Sequence, residues 1–154
     1  MHILMVCLGN ICRSPLAEGI LKKKLEEHSL SWVVDSCGTA NYHIGKAPDK
    51  RMIQTAASYN TDISQLKARQ FSLADFEKFD LIFTMDKNNF EDVQRLAIDN
   101  KQRQKVRLLL NEWKPGLDLE VPDPYYGTTM DFINVYELLD EALDSVINNW
   151  DAKK

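Results

Sequence analysis

Ile3-Leu4-Met5-Val6-Cys7-Leu8-Gly9-Asn10-Ile11-Cys12-Arg13-Ser14-Pro15 changes its period partway along, and that change decides the fold. Ile3 to Cys7 is a compact apolar run with no polar face, which reads as a strand buried on both sides. Gly9 and Asn10 break it. From Ser14 the period becomes helical, with Leu16, Ile20, Leu21 and Leu25 on one face. Ser14 stands where an N-cap belongs, and Pro15 where a first helical residue tolerates proline. The unit is strand, tight loop, helix.

Outward from this unit the same alternation continues. Trp32–Ser36 predicts a second strand, Pro48–Tyr59 a helix, and Leu73–Phe79 a short helix. Leu81–Met85 predicts a third strand, followed by a helix from Lys87 to about Ile98. Val106–Leu110 predicts a fourth strand, although a helix would fit those residues too. In the tail, Phe132, Val135, Tyr136, Leu139, Leu143, Val146, Ile147 and Trp150 form one helical stripe. Apolar strands alternating with helices imply an α/β fold, with a parallel sheet flanked by helices on both faces. No repeat or linker interrupts the chain, so residues 1–154 read as a single domain. In such folds ligands sit at the carboxyl ends of the strands. Cys7 lies at one of them.

Composition narrows the function. The 154 residues carry a net charge of −4, without the basic excess of a nucleic-acid binder. An anionic ligand must then be attracted by a particular loop. The apolar opening stretch is too short to span a membrane and is wrongly flanked for a secretory signal, so the expectation is a cytoplasmic protein with no membrane partner. Three cysteines, Cys7, Cys12 and Cys37, are too few for a disulfide scaffold. Cys7 and Cys12 lack the spacing and the partner histidines of a zinc site, and no metal or cofactor is expected. His2, His28 and His43 fit no ligand or triad spacing and read as structural or surface residues. Lys22-Lys23-Lys24, beside Glu26 and Glu27, reads as a solvated helix face.

The loop Cys7–Ser14 carries the chemistry. Between a strand end and a helix start, successive N–H groups can converge on one point, where the helix dipole adds positive potential. Gly9 permits a positive φ and Asn10 tolerates one. Arg13 can offer a phosphate two parallel hydrogen bonds. The same dipoles that hold a dianion favour a thiolate, so Cys7 reads as a nucleophile, steadied by a hydrogen bond from Ser14. Hydrolysis also needs an acid for the leaving oxygen and a base for water. Asp123, held stiffly between Pro122 and Pro124, is an independent candidate for both. Tyr125 and Tyr126 suit stacking on an aromatic group. An oxidised Cys7 could be captured by Cys12 as a reversible disulfide.

The segment Cys7–Pro15 resembles the signature of the low-molecular-weight protein tyrosine phosphatases. The resemblance extends to Asp35-Ser36-Cys37-Gly38-Thr39, to Met85-Asp86 and to Val121–Gly127, in family order across nearly the whole chain. It implies a four-stranded parallel sheet and metal-free, two-step hydrolysis of phosphotyrosine in proteins or peptides, with inorganic phosphate as product. It also implies Cys7 as nucleophile, Arg13 as phosphate-binding and charge-stabilising residue, and Asp123 as general acid. Leu8, Gly9, Asn10, Ile11, Cys12 and Ser14 fall in the implied phosphate loop as substrate-binding positions. Asn10, Ser14 and Ser36 match positions that shape that loop, and Tyr42, Tyr125 and Tyr126 match positions that wall the cleft. Cys37 departs from the family, which usually has alanine there; a small buried residue implies little functional change.

Three other readings stay open. Arsenate reductases share the fold and loop, but resemble it with further cysteines after the third strand, and residues 86–99 contain none. Phosphoarginine phosphatases of the family usually carry threonine at the position of Ile11 and smaller residues in place of Tyr125 and Tyr126. A non-hydrolytic phosphate-binding module or phosphocysteine carrier would have to preserve what Arg13 and Asp123 would help to break.

Overall fold

A computed structural model describes residues 1–151. The buried run at the amino terminus becomes β1 (His2–Cys7), and the helical run becomes α1 (Arg13–Glu27). They are followed by β2 (Val33–Gly38), α2 (Lys50–Ser58), α3 (Asp75–Lys78), β3 (Leu81–Thr84), α4 (Lys87–Leu96), α5 (Asn100–Lys105), β4 (Val106–Leu108) and α6 (Thr129–Asp151). The four strands form one sheet of order β2-β1-β3-β4, all parallel. β1 is central, with Cys7 opposite Gly38 at its carboxyl end.

The pleat divides β1 between two cores. Ile3, Met5 and Cys7 face a cluster with Leu16 and Ile20 of α1, Met52 of α2, and Phe132, Leu139 and Leu143 of α6. Leu4 and Val6 face the other side, with Phe76 and Phe79 around α3 and Val93 of α4. Both faces are covered, so the architecture is the three-layer α/β arrangement expected from the run of apolar strands. Residues 152–154, which the domain assignment also took in, lie outside the described residues.

Several boundaries differ from the sequence expectation. The second strand starts one residue later and runs on to Gly38, because its end pairs with β1 right up to the loop. A Cβ on Gly38 would lie 2.6 Å from the Leu8 carbonyl oxygen, so glycine is required where this strand passes beneath the loop. The fourth strand is only Val106–Leu108; Leu109–Asn111 winds into a 3₁₀ turn once the pairing with β3 ends. α5 carries no apolar periodicity and was not foreseen. Its one sequence signal is Asp99, whose carboxylate accepts from the Gln102 N–H at 2.8 Å. Nor is Ser14 an N-cap. α1 begins at Arg13 with Cys12 in the cap position and no side-chain cap, leaving the Ser14 hydroxyl to other partners.

The lysine run is not uniformly solvated either. Lys24 is 8% exposed and lies between Asp140 and Asp144 of α6 at 2.9 and 2.7 Å. Lys22 pairs with Glu18, and Lys23 donates to the Tyr59 carbonyl at 2.8 Å. Among the described residues, no helix is long and apolar enough to cross a membrane.

Candidate active site

The loop that joins β1 to α1 must turn back within a few residues, and Asn10 makes the turn at φ 57°. Gly9 does not take a positive φ, contrary to expectation; an added Cβ would lie 3.0 Å from His43 Cδ2, so a larger residue would need the His43 ring to shift. The turn at Asn10 aims its N–H at Cys7 Sγ, 3.3 Å away. Among the described residues, the main-chain N–H groups of Leu8, Gly9, Ile11, Cys12 and Arg13 have no protein acceptor. These donors, gathered at the first turn of a 15-residue helix, form an anion cradle.

Beneath the cradle runs a directed hydrogen-bond relay. The Arg69 N–H donates to Asn10 Oδ1 at 3.0 Å, which orients the amide. Asn10 Nδ2 then donates to Ser14 Oγ at 2.8 Å and to Ser36 Oγ at 3.0 Å. Ser36 in turn donates to Glu18 Oε1 at 2.7 Å, and the other Glu18 oxygen meets Lys22. The Ser14 hydroxyl has one proton and two acceptors in reach, Cys7 Sγ at 3.0 Å and the Cys37 carbonyl at 3.2 Å. A negative sulfur is the stronger acceptor. The Ser14 hydroxyl and the Asn10 N–H both lie within donor reach of Cys7 Sγ. Asn10, Ser14 and Ser36 brace the loop from behind and do not line the cleft.

Arg13 is 3% exposed. Its Nη1 donates to Asp86 Oδ2 at 2.7 Å and to the Val121 carbonyl at 3.1 Å. Burial alone would lower the affinity of the guanidinium for its proton, but Cys7, Asp86 and Asp123 outweigh it and push the pKa up. Among the described residues, Nε and Nη2 make no hydrogen bond, so one edge of the fork is open towards the cradle. Asp86 holds Arg13 with one oxygen and caps α4 with the other, accepting from the Asn89 N–H at 2.8 Å. The sequence shows Asp86 in the Met85-Asp86 block but not this double role.

Two further loops close the site into a cavity of about 330 Å³. Cys7, Leu8, Gly9, Ile11, Cys12 and Arg13 form its floor, with Tyr42, Asp123, Tyr125 and Tyr126 around it. Asp123 Oδ2 is 3.8 Å from Arg13 Nη2, and its other oxygen accepts from the Tyr125 N–H at 3.1 Å. Tyr125 and Tyr126 meet edge to face at a centroid distance of 4.9 Å. Tyr126 is 95% exposed and stands at the mouth. His43, assigned from sequence to a structural or surface role, also lines the cavity, in edge contact with Tyr42.

Cys12 shares the cavity with Cys7 but not its environment. Burial, with Asp49, Cys7 and Asp123 adding to it, pushes the Cys12 thiol well above its ordinary range. Burial does the same to Cys37. Among the described residues, no group of three or more His, Cys, Asp or Glu side chains could hold a metal ion.

A cysteine and an arginine on a strand-to-helix anion cradle, facing a carboxylate across a tyrosine-walled cavity, define a class: α/β proteins with a thiol set in an anion cradle at the carboxyl edge of a parallel sheet. Comparison with known proteins supplies the family. The profile described as Low molecular weight phosphotyrosine protein phosphatase matches residues 2–154. The Homo sapiens low molecular weight phosphotyrosine protein phosphatase is 39% identical over 137 residues, covering 88% of this chain and 86% of the human protein. Among solved structures, a protein tyrosine phosphatase from Entamoeba histolytica superposes with a TM-score of 0.93 at 35% identity, covering 99% of this chain and 98% of that one. Vibrio vulnificus Wzb, solved in complex with benzylphosphonate, gives 0.85 at 32% identity, covering 96% and 97%. The chain belongs to the low molecular weight phosphotyrosine protein phosphatase family, and so to the protein tyrosine phosphatases.

Proposed function

We propose that this protein hydrolyses phosphotyrosine in proteins or peptides through a cysteinyl-phosphate intermediate, in the cytoplasm. The carrying observation is the meeting, in one cavity, of Cys7 Sγ within an anion cradle, the open edge of Arg13, and Asp123 across from them. In the first step the Cys7 thiolate attacks phosphorus in line, forming an S–P bond as the P–O bond to the phenol breaks. Arg13 and the loop N–H groups hold the equatorial oxygens, whose charge spreads as the bond loosens. Asp123 gives its proton to the departing phenolic oxygen. In the second step Asp123, now a carboxylate, takes a proton from water. The water oxygen attacks phosphorus, the S–P bond breaks, and inorganic phosphate leaves with the thiolate regenerated. Tyr42, Tyr125 and Tyr126 give the ring of the substrate apolar faces, and the benzylphosphonate held by the Vibrio vulnificus relative is a ligand of the same shape. Charge compensation comes from Arg13 and the backbone, so the proposed cycle calls for no cofactor. Cys12 acts as redox partner of Cys7.

The test is steady-state hydrolysis of phosphotyrosine, phosphoserine and phosphoarginine peptides without added metal, for the wild type, Cys7→Ser and Asp123→Asn. Phosphotyrosine turnover is expected to dominate, to vanish in Cys7→Ser, and to fall by about 10² or more in Asp123→Asn. Turnover of phosphoarginine ahead of phosphotyrosine would overturn the substrate assignment. If Asp123→Asn keeps most of its activity, the acid assignment fails.

A further inference from the structure

The segment that carries Asp123 is loosely supported. From Pro122 to Gly127, two of its hydrogen bonds are internal: Tyr125 N–H to Asp123 at 3.1 Å, and Gly127 N–H to the Pro124 carbonyl at 2.8 Å. Among the described residues, its main chain makes one hydrogen bond to another element. In it, Arg51 Nη2 donates to the Tyr125 carbonyl at 2.9 Å. Towards α6 the segment borders a hollow of about 300 Å³, lined in part by Pro122, Asp123, Val135 and Leu138. The Arg51 guanidinium also lies 5.6 Å from the centroid of the Tyr125 ring and 4.6 Å from that of Phe132 in α6.

On its other side Arg51 grips Asp49, with Nε to Oδ1 at 3.1 Å and Nη2 to Oδ2 at 2.9 Å. The Asp49 N–H donates to the Ile11 carbonyl of the phosphate loop at 2.8 Å. A continuous path therefore runs from the phosphate loop through Asp49 and Arg51 to Tyr125, two residues beyond Asp123. We infer that Arg51 is a positioning residue for the reaction: with Asp49 it latches the Asp123 segment to the phosphate loop, and so sets the reach of the Asp123 carboxyl to the leaving oxygen. This rests on the reading of Asp123 as general acid. The latch needs a planar fork that can hold a carboxylate, a carbonyl and a ring face at once, which a lysine ammonium cannot copy. The plainer role is a local surface pair at the start of α2, and such pairs contribute little. That role would touch stability but not the chemistry of the leaving group.

The two roles separate by leaving group. The quantity to measure is kcat/KM, which reports capture and P–O cleavage, for a phosphotyrosine peptide and for 4-nitrophenyl phosphate. The second has a more acidic phenol and depends less on a proton donor. Arg51→Ala is expected to lose about tenfold on phosphotyrosine and less than about threefold on 4-nitrophenyl phosphate. Arg51→Lys, which keeps the charge and the stem should the alanine variant fold poorly, is expected to show the same imbalance. In an Asp123→Asn background Arg51→Ala should cost nothing more, because the group it positions is gone. Equal losses on the two substrates, or an undiminished loss in the Asp123→Asn background, would overturn the latch while leaving the acid in place. An Asp123→Asn variant as active as wild type would overturn the acid reading and the latch with it.

Discussion

Asn10 shows how much one residue can determine. Its backbone takes the one left-handed turn of the phosphate loop, its N–H points at Cys7 Sγ, and its amide ties Ser14, Ser36 and the Arg69 N–H together. Its tolerance of positive φ was legible in the sequence; its three side-chain partners, 4, 26 and 59 positions away, were not. The difference between Cys7 and Cys12 is likewise environmental. Cys12 is held as a neutral thiol by burial and by the carboxylates of Asp49 and Asp123. In the proposed redox role, with peroxide as oxidant, Cys7 would become a sulfenic acid, and attack by Cys12 sulfur would form the disulfide as water leaves. Peptide mass spectrometry after mild peroxide is expected to find Cys7 joined to Cys12, and activity to return with a dithiol. In Cys12→Ser the loss should become irreversible. An absent crosslink in the wild type would end this role for Cys12.

At the scale of elements, caps and pairing decide what apolar patterning cannot. Strands and the longer helices declare themselves by period, but their ends depend on partners. β2 extends because β1 offers a mate, and β4 stops where β3 ends. α2 begins at Asp49, whose carboxylate accepts from the Arg51 N–H at 2.8 Å and pairs with the Arg51 guanidinium. The hydrogen bond from the Arg51 side chain, against a smaller cost of burial, holds the Asp49 carboxyl below its usual range. A carboxyl depressed in the folded state stabilises the protein above its unfolded pKa of about 3.9, and that contribution is lost as pH falls through the folded value. Asparagine caps a helix as well as aspartate but carries no charge. The Tm difference between wild type and Asp49→Asn should therefore hold steady from about pH 7 to 5 and close below about pH 4. A difference that widened on acidification would contradict the pairing.

At the scale of the molecule, the sheet is a platform clamped between two cores, and the site occupies its carboxyl edge. Leu143 of α6 is fully buried in the core beneath α1 and stands 14 residues, about 21 Å, along the helix from Thr129, where the helix leaves the Asp123 segment. Leu143→Ala should cost about 2–5 kcal/mol and lower Tm by roughly 5–15 °C. Thermal denaturation measures the loss. kcat/KM at 20 °C should stay within about twofold of wild type, since the site is held from the opposite end of the sheet. A large loss of activity without a loss of Tm would show that α6 couples to the site.

The sequence by itself determined the alternation of buried strands and amphipathic helices, the single sheet, and the placing of Cys7 and Arg13 at a strand-to-helix loop. These follow from local period and from residues a few positions apart, which share one backbone environment. Tertiary structure alone decided that Asp86 holds Arg13, that Glu18 ends the relay through Ser36, that His43 lines the cavity, and that Arg51 bridges to Tyr125. The Asp86–Arg13 and Arg51–Tyr125 partners stand 73 and 74 residues apart, and no local period records which loops a folded sheet will bring to one edge. Their distance in sequence is the physical reason they could be read only from the fold.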